Sequence, residues 1–206
     1  MSGTGSPVDD DLGTVAQRER RQRILDAATS LASEGGFERV QMRAVAVRAQ
    51  VALGTLYRYF PSKIHLLVSV LGEQFAHAAD ALVRTRPPGR TAADRVVHVL
   101  ARTTGSLQRE PHLTEALTRA YVFADASVAR EIEVVTAQVT RMLLTGLRSP
   151  DDPRGVGDPD EHEVAMVKVI GDVWLASLVQ WVTGRLSAAD VESSMDVAVR
   201  LLLRGD

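Results

Sequence analysis

The segment QMRAVAVRAQVALGTLYRYFPSK, residues 41–63, decides the fold. Apolar side chains recur at helical spacing in its first half. Pro61 ends a second short helix, because proline disfavours the helical conformation in the residue before it. The pattern predicts helices over about 42–49 and 54–60, joined by an apolar corner at residues 50–53. Two helices joined in this way form a helix-turn-helix, whose second helix enters the major groove of DNA.

The second of these helices carries side chains suited to DNA. They offer hydroxyl groups, a positive charge and a glycine that allows close approach of the backbone. The predicted contact residues of this helix are Gly54, Thr55, Tyr57, Arg58 and Tyr59. Polar and basic residues around the motif complete the predicted set, namely Arg18, Arg21, Gln41, Arg43 and Lys63. The alternative is that one or both tyrosines are core residues of a small bundle.

Charge is distributed unevenly along a chain whose formal net charge is −2. Residues 17–63 contain nine basic and four acidic side chains, whereas the residues before and after them are acidic on balance. A basic head on an acidic body is expected of a DNA-binding module attached to another domain. The alternative is that the arginines only solvate helix surfaces.

Composition excludes several classes of protein. Without cysteine there is neither a disulfide framework nor thiolate chemistry, and the chain fits the cytoplasm. No uninterrupted run of about 18 apolar residues predicts a membrane span, and the N-terminus lacks the pattern of a signal peptide. The five histidines are scattered without metal-binding spacing, and neither a phosphate-binding loop nor a nucleophile elbow is present. We therefore expect neither an enzyme nor a metal or other cofactor.

The chain divides into three regions. Residues 1–16, rich in Gly, Ser, Pro and Asp, are predicted to be a disordered tail. Residues 17–62 are predicted to form a three-helix head, whose first helix ends at Gly35 and Gly36. Residues 63–206 are predicted to form a larger helical body, so the fold class is all-α with about nine helices.

The body helices are delimited by turn and cap signals. We expect Ser62, Thr91 and Ser187 to cap three of them. The predicted helices cover about 63–85, 92–109, 111–123, 127–147, 161–185 and the residues after 187, with a mobile, proline-rich loop at 148–159.

Three stretches carry a resemblance to a known family. GTLYRYFPSK (54–63), after an alanine-rich helix, resembles the DNA-binding signature of the TetR family of transcriptional repressors, over about residues 18–75. LTEALTRAYVFADAS (113–127) and DVWLASLVQWVTGRLSAADV (172–191) resemble the members of that family that repress steroid (cholesterol) catabolism in actinobacteria.

The resemblance implies a ligand-responsive repressor that binds palindromic operator DNA as a homodimer. It also implies that the long helix after the head carries the allosteric signal, and that a steroid-derived coenzyme A thioester releases the DNA. Three alternatives stay open: regulation of another lipid or fatty-acid pathway, activation instead of repression, and an architectural DNA-binding protein without an effector.

The last two helices are predicted to form the dimer interface. Apolar residues nearly circle the helix around residues 174–182, and such a helix is buried on more than one face. One face can pack against the core, whereas a second face needs a partner. A two-fold dimer also places two recognition helices one turn of DNA apart.

An apolar effector site is predicted inside the body, because aromatic residues are scarce there and fall on helices that should meet. The candidate lining residues are Phe75, Leu100, Leu107, Leu117, Tyr121, Phe123, Met142, Trp174 and Leu178. Each aromatic residue has a plain core role as its alternative. The candidates for binding an anionic tail, with solvated surface as their alternative role, are Arg102, Arg109 and Arg119.

Overall fold

The chain is built from helices. The computed structural model describes residues 7–148, 152 and 158–204, and for residues 7–14 the backbone alone. Within these residues it contains nine α-helices, one short 3-10 helix (Ala126–Val128) and no strand, which confirms the all-α prediction. The helices are α1 (Pro7–Arg39), α2 (Met42–Arg48), α3 (Leu53–Tyr59), α4 (Lys63–Arg84), α5 (Ala92–Arg109), α6 (Pro111–Val122), α7 (Ala129–Leu147), α8 (Glu161–Val182) and α9 (Ala188–Leu202).

Helix α1 begins earlier than expected. It starts at Pro7, so residues 7–16 of the predicted tail belong to α1, while residues 1–6 lie outside the described part. Proline at the first helical position, followed by acidic residues near the helix start, favours initiation there. The regular helix is interrupted at Gly35 and Gly36, as predicted, and Gly36 adopts a left-handed φ of 69°. A further helical turn then leads to Arg39.

Helices α2 and α3 form the helix-turn-helix within two residues of the predicted bounds. The chain turns between them at Gln50, whose φ of 54° lies in the left-handed region that few residues other than glycine adopt. Leu56 of α3 is fully buried, and it shares the apolar core with Val45 and Ala46 of α2. This core fixes which side of α3 is left at the surface.

Helix α4 connects the head to the body. Its N-cap residue Ser62 accepts a hydrogen bond from the backbone N–H of His65, as the sequence predicts. Helix α4 packs on α6 and α7, α1 packs on α6, and α5 packs on α7 and α9. Capping boxes open three body helices and pair Thr91 with Asp94, Asp160 with Glu163 and Ser187 with Asp190. Thr91 and Ser187 were predicted as caps, and the box at Ser187 was predicted as such.

The predicted loop at 148–159 lies mostly outside the described residues, but both of its ends are anchored. Arg148 is buried at the end of α7 and forms an ion pair of 2.8 Å with the buried Glu163 of α8. The same guanidinium donates to the backbone oxygen of Asp158 at 3.0 Å. The ion pair therefore fixes the start of α8 against the end of α7.

By length and composition alone, two helices of the described chain are apolar enough to cross a membrane, namely α4 and α8. Half of the apolar 18-residue stretch of α4 is buried inside the bundle, as is usual for a core helix. The corresponding part of α8 is only 28% buried in the single chain. Helix α8 thus keeps an apolar surface without a partner in the monomer.

Candidate DNA-binding surface and effector cavity

Helix α3 turns one side inward and the other outward. Because Leu56 is fully buried, the following residue, Tyr57, is directed away from the core and is 45% exposed. The core interpretation of this tyrosine is therefore excluded. Among the other predicted contact residues of α3, Gly54 and Arg58 are exposed, and Thr55 and Tyr59 are half-buried. The Tyr59 ring lies 6.4 Å from that of the buried Phe60, so it belongs partly to the core.

The start of α2 exposes polar groups next to an apolar one. Gln41 is the N-cap residue, yet its side chain makes no capping hydrogen bond, and it is exposed. Arg43 is exposed as well. Val47, at 80%, is the most exposed of the large apolar side chains in the described chain. Val47 was not among the predicted contact residues, because these were chosen for polar or basic side chains, although helical spacing leaves Val47 off the buried face of Val45, Ala46 and Ala49.

The arginines of the head fall into two groups. Arg48 pairs with Glu34 and lowers the pKa of that carboxyl below its usual value. Arg39 pairs with the same carboxylate at 3.6 Å, and Arg21 pairs with Glu73 of α4 at 3.3 Å. The second group forms no ion pair within the described residues, and consists of Arg18, Arg20, Arg23, Arg43 and Arg58. The positive charge available to an external anion therefore comes from this second group.

Lys63 does not point where the sequence analysis expected. Its Nζ donates to the backbone oxygen of Phe37 at 2.7 Å and lies 3.7 Å from the centroid of that ring. Partial burial lowers the pKa of Lys63 below its usual value. The ammonium joins α4 to the last turn of α1, so the predicted phosphate contact of Lys63 is corrected to a contact within the protein.

A cavity of about 400 Å³ lies between α4, α5, α6, α7 and α8. Six of the nine predicted ligand-binding residues line it, namely Phe75, Leu107, Leu117, Tyr121, Trp174 and Leu178. Trp174 is fixed on two sides: its indole N–H donates to the hydroxyl of Thr104 at 2.9 Å, and its ring lies 5.7 Å from that of Phe75. The wall of the cavity is therefore largely apolar and, at Trp174, rigidly oriented.

Three predicted lining residues lie elsewhere. Leu100 is buried outside the cavity, where it lines a groove between α5 and α9. Met142 is fully buried in the core and does not line the cavity. Phe123 follows the last residue of α6 and is 66% exposed. The arginines proposed for an anionic tail are also absent from this wall: Arg119 contacts the head, and Arg102 and Arg109 line a groove between α4, α5 and α6.

The polar part of the wall was not predicted from the sequence. Four threonine side chains line the cavity in two pairs at i, i+4 spacing, Thr114 and Thr118 on α6 and Thr136 and Thr140 on α7. Lys168 and Asp172 of α8 line it as well, and their charged atoms lie 2.6 Å apart. The sequence did carry a signal for these residues, because a polar residue recurs every turn on an otherwise apolar helix face.

Helix α6 contacts the cavity on one side and the head on another. Its Glu115 accepts a hydrogen bond of 2.8 Å from the backbone N–H of Phe37. Its Arg119 lies 4.5 Å above the Phe37 ring and pairs with Glu38 at 3.0 Å. The last turn of α1 is thus held between Lys63 of α4 and two side chains of α6.

Helices α8 and α9 leave apolar side chains at the surface that do not line the cavity. Val169 of α8 is 44% exposed, and Val197 and Leu201 of α9 are 58% and 52% exposed. The buried side of α9 is formed instead by Val191, Met195 and Val199. Among the described residues, no group of three or more His, Asp or Glu side chains is arranged to hold a metal ion.

Two families of known proteins match the chain. Residues 24–70 match "Bacterial regulatory proteins, tetR family", and residues 89–202 match the tetracyclin repressor-like C-terminal domain. The chain is 49% identical over 196 residues to the HTH-type transcriptional repressor KstR of Mycobacterium tuberculosis, a match that covers 95% of this chain and 86% of that protein. These relatives are transcriptional regulators, which confirms the prediction that the chain is not an enzyme.

Solved structures agree with the sequence matches. A TetR transcriptional regulator from Rhodococcus sp. RHA1 has a TM-score of 0.82 at 33% identity, covering 92% of this chain and 98% of its own. The FadR repressor of Thermus thermophilus, solved with lauroyl-CoA, shares the fold with a TM-score of 0.70 at 24% identity, covering 90% and 94% of the two chains. The chain, with its helix-turn-helix head and helical body, belongs to the TetR family of bacterial regulators.

Proposed function

We propose that the chain is a ligand-responsive repressor that binds palindromic operator DNA as a homodimer and releases it when an apolar effector fills the cavity. The observation that carries this proposal is the position of α6. Thr114, Leu117 and Thr118 of α6 line the cavity, while Glu115 of the same helix binds the backbone of the head. One short helix therefore contacts both the effector site and the DNA-binding unit.

Operator contact is assigned to the exposed side of the helix-turn-helix. Tyr57 and Arg58 reach the groove from α3, and Val47 offers an apolar surface of the kind that contacts thymine methyl groups. Gln41, Arg43 and Arg18 contact the backbone or the edge of the groove. Arg21 stays a candidate, because the exposed pair that it forms with Glu73 is worth only about 0.2–1 kcal/mol.

Salt dependence tests these assignments one residue at a time. Arg18→Ala and Arg43→Ala should each reduce the slope of log binding constant against log salt by about 0.9, because each removes one phosphate contact. Tyr57→Ala should weaken operator binding with the slope unchanged. Lys63→Ala should leave the slope unchanged, since its ammonium is bound to Phe37. A reduced slope in Lys63→Ala, with normal slopes in the arginine variants, would reverse the assignment.

The dimer interface is assigned to α8 and α9. Val169, Val197 and Leu201 form an exposed apolar surface on these two helices, and α8 is little buried in the single chain. A second copy of the chain is the partner that a palindromic operator requires, because a two-fold dimer presents two equivalent recognition helices.

The effector is assigned as a steroid-derived molecule, a coenzyme A thioester in its natural form. The two stretches that resemble the repressors of steroid catabolism, residues 113–127 and 172–191, supply α6 and α8 residues to the cavity wall, including Leu117 and Leu178. A wall of branched aliphatic residues around a fixed indole suits a rigid ring system. A fatty acyl chain is the alternative ligand.

Release requires the effector to favour a head arrangement that the operator does not accept, because a ligand shifts an equilibrium only by its differential affinity. Helix α4 is the continuous connection from head to body, and α6 gives the effector a second one through Phe37. An effector that displaces α6 would therefore move the last turn of α1.

Mapping of binding sites across the source genome, followed by effector titration on the sites found, tests the function. Palindromes upstream of sterol-degrading genes, released by a steroid coenzyme A thioester and not by a long-chain acyl thioester, are the expected result. Release by the acyl thioester alone would assign the chain to another lipid pathway. Sites that no apolar ligand releases would show an architectural protein instead.

A further inference from the structure

Lys168 and Asp172 are the only charged side chains in the described wall of the cavity. They are 72% and 64% exposed, so the pair lies at the rim of the cavity, where the wall meets solvent. They face each other across one turn of α8, with Nζ and Oδ2 2.6 Å apart. An exposed i, i+4 pair contributes only about 0.3–0.5 kcal/mol, so opening it costs little.

Lysine is rare in this protein, which adds weight to its position here. The chain has 24 basic residues, of which only Lys63 and Lys168 are lysines. Lys63 is bound to Phe37 in the head. Lysine carries a compact charge on a flexible four-carbon stem, so Lys168 can reach either Asp172 or a group in the cavity mouth. The hydrogen bond to Asp172 raises the pKa of Lys168 above its usual value.

The rest of the wall gives an anion no other positive partner. The remaining lining side chains are apolar or carry hydroxyl groups, such as Thr118 and Tyr121. Arg102 and Arg109 lie in the groove on the other side of Phe75 and Leu107, which both spaces share. An anion attached to an apolar body in the cavity therefore meets Lys168 first.

We propose that Lys168 leaves Asp172 and binds the anionic group of an effector whose apolar body fills the cavity. The site would then recognise amphiphiles that carry a negative charge next to a large apolar part. This inference rests on the proposed function and names the polar half of its ligand. A carboxylate of a free acid and a phosphate of a coenzyme A thioester share this chemistry, and the test separates the two sources.

The test uses the fluorescence of Trp174, which lines the cavity, in the full-length protein. The probes are a steroid carboxylic acid, its uncharged methyl ester and its coenzyme A thioester. Lys168→Ala should weaken binding of the acid, the thioester or both by about fivefold, the upper end for an exposed ion pair, and leave the ester unchanged. Loss for the acid alone would identify a carboxylate, and loss for the thioester would identify a phosphate.

Two further variants and one control test the role of charge. Asp172→Asn should tighten binding of the charged probe, because it removes the competing carboxylate, and Lys168→Arg should retain most of the affinity. Arg90→Ala removes one exposed positive charge from the loop before α5 and should have no effect, which makes it the control for net charge.

A second readout follows the lysine directly. Reductive methylation with a carbon-13 label keeps the charge and marks only two side chains and the N-terminal amine. The signal of Lys168 should move with the charged probe and not with the ester, while that of Lys63 serves as the reference.

Four outcomes would overturn the inference. Equal weakening of all three probes in Lys168→Ala would show that the side chain only packs against the ligand. Selective weakening in Arg102→Ala or Arg109→Ala instead would place the anion in the groove. If the wild-type protein binds none of the probes, the effector assignment of the proposed function fails together with this inference. Normal binding without charge selectivity overturns this inference alone.

Discussion

Glu115→Ala should separate effector binding from DNA release. Glu115 Oε2 accepts from the backbone N–H of Phe37 at 2.8 Å, and its other oxygen lies 3.7 Å from Arg119. The site is built around this carboxylate: a Cβ atom on Gly36 would lie 2.6 Å from Oε2, and Gly36 has the left-handed φ that glycine adopts without strain. The substitution therefore removes the direct bond between α6 and the last turn of α1.

The size of the expected loss of coupling free energy follows from the two contacts of Glu115. A hydrogen bond to a charged acceptor contributes about 1.5–3 kcal/mol, and an exposed i, i+4 ion pair adds about 0.3–0.5 kcal/mol. Coupling free energies between two sites are about 1–3 kcal/mol, so a loss of this size removes most of the coupling. If about 2 kcal/mol is lost, the ratio of operator affinities without and with effector should fall by about 30-fold.

The assay is a titration of a labelled operator fragment, in the absence of effector and with effector at saturation. Glu115→Gln is the matched control, because it keeps the shape and an acceptor oxygen while removing the charge, and it should retain part of the ratio. Hydrogen exchange at the Phe37 amide reports whether the bond is broken. If Glu115→Ala exchanges faster at Phe37 yet keeps the wild-type ratio, the signal passes through α4 alone.

Three other substitutions have outcomes that the structure fixes. Glu163→Ala removes one member of the buried ion pair between Arg148 and Glu163 and should lower the free energy of unfolding by about 3–5 kcal/mol, measured by urea denaturation. Val197→Glu places a charge in the proposed interface and should yield monomers in light scattering, with operator affinity lost and the helical circular dichroism spectrum unchanged. Thr104→Val leaves the buried indole N–H of Trp174 unpaired and should cost about 1–3 kcal/mol of stability, together with weaker effector binding in a fluorescence titration.

The helices of the head could be predicted from the sequence because interactions between residues close in the chain determine them. The helical spacing before residue 50, Pro61 after the second helix and the cap at Ser62 each act within a few residues. The contact made by the Lys63 side chain could not be predicted, because its partner Phe37 lies 26 residues away in the sequence. The turn at Gly36 brings Phe37 close to Lys63. Contacts of that kind depend on tertiary packing, which a periodic pattern does not encode.

The residues that line the cavity could be predicted only in part from the sequence, and the incorrect predictions have geometric causes. Leu100 and Leu107 share a face of α5, but they are separated by about 10 Å along the helix, so Leu100 lies beyond the cavity. Tyr121 and Phe123 are two positions apart, or about 200° around a helix, so they cannot both face the same cavity. Helical spacing therefore identified the face of α5 but not how far the cavity extends along it, whereas Phe123 was chosen for its aromatic ring alone.

Under the proposed function, the length and the two faces of α6 are the means by which the cavity would control the head. Thr114 and Thr118 line the cavity, and Glu115 and Arg119 follow them by one position, about 100° further around the helix. A helix of 12 residues moves nearly as a rigid rod, so a shift imposed on one face appears on the other. Filling the cavity is then not sufficient for release: a ligand that binds without displacing α6 should occupy the site and leave the protein on its operator. Comparison of binding and release across ligands of increasing bulk would show the two properties diverging for the smallest ligands, whereas strict proportionality would point to transmission by α4 alone.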